Sequence, residues 1–256
     1  MSYQRALVTG ASSGTGRGVA LALAKRGTEV WAAARREELL RELCDEAAAA
    51  GGRVHALTLD VGRADETAER VEALDREIGG LDLVLANAGI GPPIRAQSMT
   101  WQKVKPMLEV NVMGCIATLT GALPGMVDRG RGHLAAVSSI AAFRGMPTAA
   151  VYCATKAAVS TFLEGIRIDL RDTAIAVTDI RPGFVKTPMT ATAKTAMPWL
   201  MELDDAVATI LRGLDRREGL VAFPWQLAGL SSFGRAVPST LFDPLMSRAS
   251  RPRRRA

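Results

Sequence analysis

The run Val151-Tyr152-Cys153-Ala154-Thr155-Lys156 sets a phenol and an ammonium four residues apart. On a helix, side chains with that spacing share one face, one turn from each other. A free phenol titrates near ~10, too high to exchange protons readily at neutral pH. Lowering that value by about three units takes roughly 4 kcal/mol of preferential stabilisation of the phenolate. A neighbouring ammonium is one of the few side chains able to contribute to it. By itself the pair also fits a solvated helix face, so its meaning depends on what else the chain carries.

Several other groups could do chemistry. Gly10-Ala11-Ser12-Ser13-Gly14-Thr15-Gly16 follows an apolar run and precedes a helical pattern. Strand, glycine-rich turn and helix in that order expose backbone N–H groups and a helix N-terminus to a pyrophosphate. The spacing is G-x-x-x-G-x-G rather than G-x-G-x-x-G. Some 20 residues on, where an NAD site places an acid for the ribose 2′-hydroxyl, Ala34 stands instead, followed by Arg35-Arg36. A guanidinium grips a 2′-phosphate that a carboxylate would repel, so NADP(H) is preferred and NAD(H) possible. The plainer alternative is that both arginines merely open a charged helix. Asp60, ahead of Val61, either caps the following helix or contacts an adenine. Asn87-Ala88-Gly89 ends another apolar run, Asn111 lies mid-helix, and Ser138-Ser139 closes a further apolar run.

The elements that must position these groups alternate. Strand patterns cover 4–9, 29–34, 53–59, 81–86, 133–137 and 174–180, and 219–223 is a plausible seventh. Helical patterns lie between them, including long ones over 101–129 and 148–171 and an amphipathic one over 204–217. This is an α/β chain with a doubly wound parallel sheet of about seven strands flanked by helices, whose ligands bind at the carboxyl ends of the strands. Gly10, Arg35, Asp60, Asn87, Ser139 and Pro182 all fall on that edge.

With 256 residues and 48% hydrophobic content, the chain suits one large α/β domain and excludes disorder. Cys44, Cys115 and Cys153 are scattered, without C-x-x-C spacing, which points to reduced thiols in a cytoplasmic protein. A first strand from Gln4 leaves no room for a signal peptide. Arg248, Arg251, Arg253, Arg254 and Arg255 carry five of the six net positive charges. The basicity therefore belongs to a tail, 247–256, read as disordered, and gives no reason to expect nucleic acid. No His, Cys or carboxylate group has metal-ligand spacing; His55 and His133 read as structural.

Taken together, Gly10-x-x-x-Gly14-x-Gly16, Asp60, Asn87-Ala88-Gly89, Asn111, Ser139, Tyr152-x-x-x-Lys156 and Pro182-Gly183-x-x-x-Thr187 resemble the short-chain dehydrogenase/reductase family in order and spacing over residues 4–190. The resemblance implies a single Rossmann-type domain over 1–246. It implies Tyr152 as general acid and base, Lys156 lowering the tyrosine pKa and bonding the nicotinamide ribose, and Ser139 donating to the substrate oxygen. Asn111 would hold a water linking Lys156 to solvent. Cofactor contacts would come from Gly10, Ser12, Ser13, Gly14, Thr15, Gly16, Arg35, Asp60, Val61, Asn87, Ala88, Gly89, Tyr152, Lys156, Pro182, Gly183, Val185 and Thr187. Ser139 is preferred to Ser138 because it lies thirteen positions before the tyrosine. A homotetramer or homodimer through the long helices is expected by the same resemblance.

Residues 186–203 occupy the place of a substrate-closing segment. Met189, Met197, Trp199, Leu200 and Met201, with Phe143 and Met146, favour a hydrophobic ketone or secondary alcohol, unless they simply pack on the core. Residues 220–246 are strongly apolar, and Pro224 and Pro238 interrupt them. Burial in an interface or pocket wall is preferred to a surface-lying membrane anchor over 220–256. The function implied is NADP(H)-dependent interconversion of a carbonyl and a secondary alcohol. The alternatives are an NAD-linked alcohol or hydroxysteroid dehydrogenase and a non-catalytic redox sensor.

Overall fold

The computed structural model describes residues 3–191 and 197–249. Seven strands, β1 (Arg5–Thr9), β2 (Glu29–Ala34), β3 (Arg53–Thr58), β4 (Leu83–Ala86), β5 (Arg131–Val137), β6 (Ala174–Pro182) and β7 (Leu220–Phe223), form one all-parallel sheet. Their order is β3-β2-β1-β4-β5-β6-β7. The helices are α1 (Gly14–Lys25), α2 (Glu37–Ala49), α3 (Ala64–Glu77), α4 (Trp101–Leu108), α5 (Gly114–Asp128), α6 (Ala150–Asp169), α7 (Pro188–Ala191), α8 (Leu203–Asp215), α9 (Trp225–Ala236) and α10 (Ser239–Ala249).

Strands covered on both faces read as unbroken apolar runs, and β4, Leu-Val-Leu-Ala, is buried throughout. Side chains alternate across the sheet. Ala6 and Val8 face Val19, Leu23, Ile210 and Leu214 of α1 and α8. Leu7 and Val84 face Val71, Leu119 and Leu163 of α3, α5 and α6. Each such leucine or valine contributes about 1.5–3 kcal/mol on burial. The strand order reverses between β1 and β4, which opens a crevice at their carboxyl ends.

Both histidines are structural. His133 is buried between the Tyr3 hydroxyl (2.7 Å to Nδ1) and Thr178 Oγ1 (2.7 Å to Nε2), and burial pushes its pKa down to about 3. His55, on the edge strand β3, stacks on Trp31 at 4.8 Å and pairs with Glu29 of β2.

Three local expectations change. The helix expected over 101–129 is interrupted by a π-helical turn, Glu109–Met113, with Asn111 inside it; such turns bulge a helix and re-aim a side chain. Asp60 does not cap α3, whose N-cap is Arg63; its Oδ1 instead accepts from the Gly62 N–H at 3.0 Å. The sixth strand runs on to Pro182, since β7 continues the ladder with Pro182 opposite Phe223. The tail beyond residue 249, and 192–196 of the expected closing segment, lie outside the described residues.

Candidate active site

The glycine loop is built by close approach. Gly10 has φ +66°, and a Cβ there would stand 2.7 Å from Ala88 Cα. A Cβ on Gly16 would lie 2.6 Å from the Gly10 carbonyl oxygen, and Gly14, at φ +57°, faces the Thr187 side chain. Only glycine fits such positions without strain. The Asn87 side chain holds this loop in place. Its Nδ2 donates to the Thr9 carbonyl at 2.9 Å, while the N–H groups of Asn87 and Ala88 donate to Thr9 Oγ1. The Asn87 amide thus ties the ends of β1 and β4 together.

The arginine that reaches the loop is Arg36, which the sequence left beside Arg35. Its Nη2 donates to Ser12 Oγ at 2.8 Å and Ser13 Oγ at 2.9 Å, and its Nε to Ser12 Oγ at 3.2 Å. Arg35 is exposed and makes no hydrogen bond or ion pair among the described residues. Thr15 follows Gly14 in the first turn of α1. Val61 is buried, with its carbonyl carbon 2.9 Å from where a Cβ on Gly114 would stand.

The structure brings Asn111, Ser139, Tyr152 and Lys156 together across β5, α6 and the π-helical turn. Ser139 Oγ accepts from the Ala141 N–H at 3.1 Å and donates to the Pro182 carbonyl at 3.4 Å. That donation is long for O–H···O, so the proton is easily redirected. Ser138 is different: buried, it donates to Asp179 Oδ1 and the Ile180 carbonyl. Asp179 is also paired with Arg181 Nε at 2.7 Å. The two serines thus face opposite ways, as alternation at a strand end requires.

Tyr152 packs against Gly91, where a Cβ would approach the ring edge at 3.0 Å, and against Ile90 and Ile94. Its pKa is raised, burial being the main cause, while the Ser139 hydroxyl pulls it down and Cys153 adds to the rise. The expected depression by Lys156 is therefore not what this structure shows. Lys156 Nζ lies 5.7 Å from the Tyr152 ring centroid and donates to the Val137 carbonyl at 2.7 Å. Burial drives the lysine pKa down to about 8, against smaller upward contributions from Cys115 and Asp179. Lys156 is taken up by the Val137 carbonyl and stands off the ring rather than on the phenol oxygen.

Asn111 is nearly fully buried and fully engaged. Its Oδ1 accepts from the Ile90 N–H at 2.8 Å; its Nδ2 donates to the Ile90 carbonyl at 2.8 Å and to Thr155 Oγ1 at 3.1 Å. A Cβ on Gly89 would stand 3.4 Å from both Asn111 Oδ1 and Lys156 Nζ. Thr155, whose hydroxyl donates to the Tyr152 carbonyl at 2.8 Å, and Gly91 went unnoticed in the sequence. Thr155 could have been found, since it lies between Tyr152 and Lys156; Gly91 had no signal beyond its loop.

At the rim, Gly183 donates its N–H to the Phe223 carbonyl at 2.7 Å. Val185 is buried and bridges Met201, which is partly buried and packs against the core. Thr187 N–H donates to Thr190 Oγ1 at 3.0 Å. Met146, Met189, Trp199 and Leu200 are the exposed apolar side chains of this region.

The sequence model of the family described as short chain dehydrogenase matches residues 4–198. An uncharacterised oxidoreductase of Myxococcus xanthus is 53% identical over 243 residues, covering 95% of this chain and 96% of the relative. A short-chain dehydrogenase from Sphingobium yanoikuyae, solved in complex with NADPH, superimposes with a TM-score of 0.81 at 27% identity, covering 98% of each chain. A short chain dehydrogenase/reductase from Burkholderia phymatum, solved in complex with NAD, shares the fold with a TM-score of 0.81 at 21% identity, over 89% of this chain and 91% of that one.

Proposed function

From the premise that this chain belongs to the short-chain dehydrogenase/reductase family, and so is an NAD(P)-dependent oxidoreductase, we propose that it reduces a hydrophobic ketone to a secondary alcohol with NADPH as the preferred cofactor. The observation that carries this reading is the convergence of Ser139, Tyr152 and Lys156 beside the glycine loop. Reduction consumes a proton, which Tyr152 holds, and the Ser139 hydroxyl beside it works against the burial that raises its pKa.

The residues present fit the cofactor. Gly10, Gly14 and Gly16 let the loop close against Asn87, Ala88 and Thr187, and loop N–H groups with the α1 N-terminus suit a pyrophosphate. Ala34 at the end of β2 offers no carboxylate, while Arg36 fixed across Ser12 and Ser13 offers a guanidinium to a 2′-phosphate. The NADPH complex of the Sphingobium relative is consistent with that preference. Lys156, Asn87, Gly89, Pro182, Gly183, Val185 and Thr187 would complete the cofactor's surroundings.

When bound, the nicotinamide supplies the hydride. Ser139 donates to the carbonyl oxygen as charge builds on it, and Tyr152 delivers the proton, a contribution of ~10²–10⁴-fold. Lys156 provides the ammonium that orients and charges the site. Asn111 fixes the loop after β4 through Ile90, and a water on the Lys156 side would be held with the help of that braced loop. The exposed faces of α4 to α6, with Trp101, Met113, Val127 and Ile168, are the surfaces we assign to a homo-oligomer. Three free cysteines are consistent with a cytoplasmic setting.

The test is oxidation of NADPH and NADH with aliphatic, aromatic and steroid ketones, run beside Tyr152→Phe. Turnover lost by ~10²–10⁴-fold in the variant, with cofactor binding retained, supports the reading. Cofactor binding without turnover on any ketone would overturn it in favour of a sensor.

A further inference from the structure

Arg144 follows the 3-10 turn Ile140–Phe143, in the segment joining Ser139 to Tyr152. Its Nη1 donates to the Gly234 carbonyl at 2.6 Å and to the Val237 carbonyl, and its guanidinium carbon lies 3.8 Å from the centroid of the Phe242 ring. Gly234 and Val237 are at the C-terminal end of α9, where the helix dipole favours a cation; the Gly234 carbonyl accepts from the Val237 N–H at 3.3 Å as well as from Arg144. Phe242 lies in the first turns of α10. One side chain therefore grips both C-terminal helices.

Among the described residues, few side chains on these helices are buried. Leu227 belongs to the buried set, whereas Trp225, Leu230 and Phe233 of α9, and Leu241 and Leu245 of α10, are exposed. Leu227 reaches the other side of the site: a Cβ on Gly183 would stand 2.9 Å from its Cδ2. Gly183 follows Pro182, whose carbonyl accepts from Ser139. The α9 helix thus leans on both chain segments that hold Ser139, through an apolar contact at Gly183 and a charged one at Arg144.

We propose that Arg144 is a positioning residue that pins α9 and α10 beside the substrate side of the site, making this helical pair the wall that sets which ketones fit. The inference rests on the carbonyl-reductase reading for its substrate arm only. Lysine would not replace arginine, because the planar guanidinium both bonds two carbonyls and lies on a ring, whereas an ammonium is a point charge.

The experiment compares full-length wild type, Arg144→Ala, Arg144→Lys and Phe242→Leu. Hydrogen exchange across 225–249, measured without substrate, is expected to quicken about tenfold or more in Arg144→Ala, because charge-assisted hydrogen bonds are lost. In a ketone series of rising size, KM for the best bulky ketone is expected to rise about tenfold, with kcat for a small ketone and NADPH affinity little changed. Arg144→Lys and Phe242→Leu should fall between. Unchanged exchange in Arg144→Ala overturns the pin. Faster exchange with unaltered KM ratios overturns the specificity role. If wild type turns over no ketone, the enzymatic reading fails while exchange still decides the pin.

Discussion

Ile90 and Asn111 exchange two hydrogen bonds, the Ile90 N–H donating to Asn111 Oδ1 and Asn111 Nδ2 donating to the Ile90 carbonyl, each at 2.8 Å. A side-chain amide here does what a neighbouring strand would do for the loop after β4. It is possible because the π-helical turn aims Asn111 at Ile90, and the third amide hydrogen bond, to Thr155, ties the same group to α6.

Asn111→Ala should therefore leave both Ile90 backbone groups unpaired, at a cost of about 1–3 kcal/mol each. The expected result is a clear fall in denaturant midpoint together with a loss of kcat. Thr155→Val, which removes one bond and keeps the shape, should lose less of both. Equal stability of Asn111→Ala and wild type would show that the exchange contributes nothing.

Arg36→Ala is expected to weaken NADPH binding by about tenfold or more, the loss of a charge-assisted contact, with little effect on NADH. Arg35→Ala is the comparison, since Arg35 is the other exposed guanidinium at the end of β2 and the one the sequence favoured. Titration of both cofactors against both variants checks this; a larger loss in Arg35→Ala would reverse the assignment.

Lys156 titrates at about 8 in the folded chain against 10.5 as a free side chain. Between those values the folded state has released a proton that the unfolded state still binds, so stability rises with pH over that window. Below pH 8 both states are protonated and the burial penalty is fully present. Lys156→Met should flatten this slope in melts taken from pH 8 to 10.5. Ketone reduction in wild type should fall above about pH 8, as the ammonium is lost.

His133 has the same sign in acid. Its folded value of about 3 lies below the ordinary 6.5, so the unfolded chain binds a proton first as pH falls. The stability it contributes is present above pH 6.5 and is lost progressively down to about 3. His133→Gln, which cannot titrate, should show a shallower loss across that range; an unchanged acid slope would place the sensitivity in other groups.

The sheet was legible because parallel strands buried on both faces must be apolar throughout, as Leu83–Ala86 is, and because glycines mark the turns between strand and helix. The residues that chemistry needs were legible for a related reason. A phenol, a lysine one helical turn away and a serine at a strand end are few in kind and fixed in spacing. Tertiary structure alone decided how they are used. Ser138 and Ser139 differ only in which face of the strand end they take. Arg36 rather than Arg35 meets the serines of the glycine loop. Asn87 braces the loop, and Arg144 reaches two helices some ninety residues on. Even the sign of the Tyr152 pKa shift belongs to the fold, because the desolvation that raises it comes from chain segments brought together around α6. Composition and spacing determine what a side chain can do; burial and its neighbours in space determine what it does.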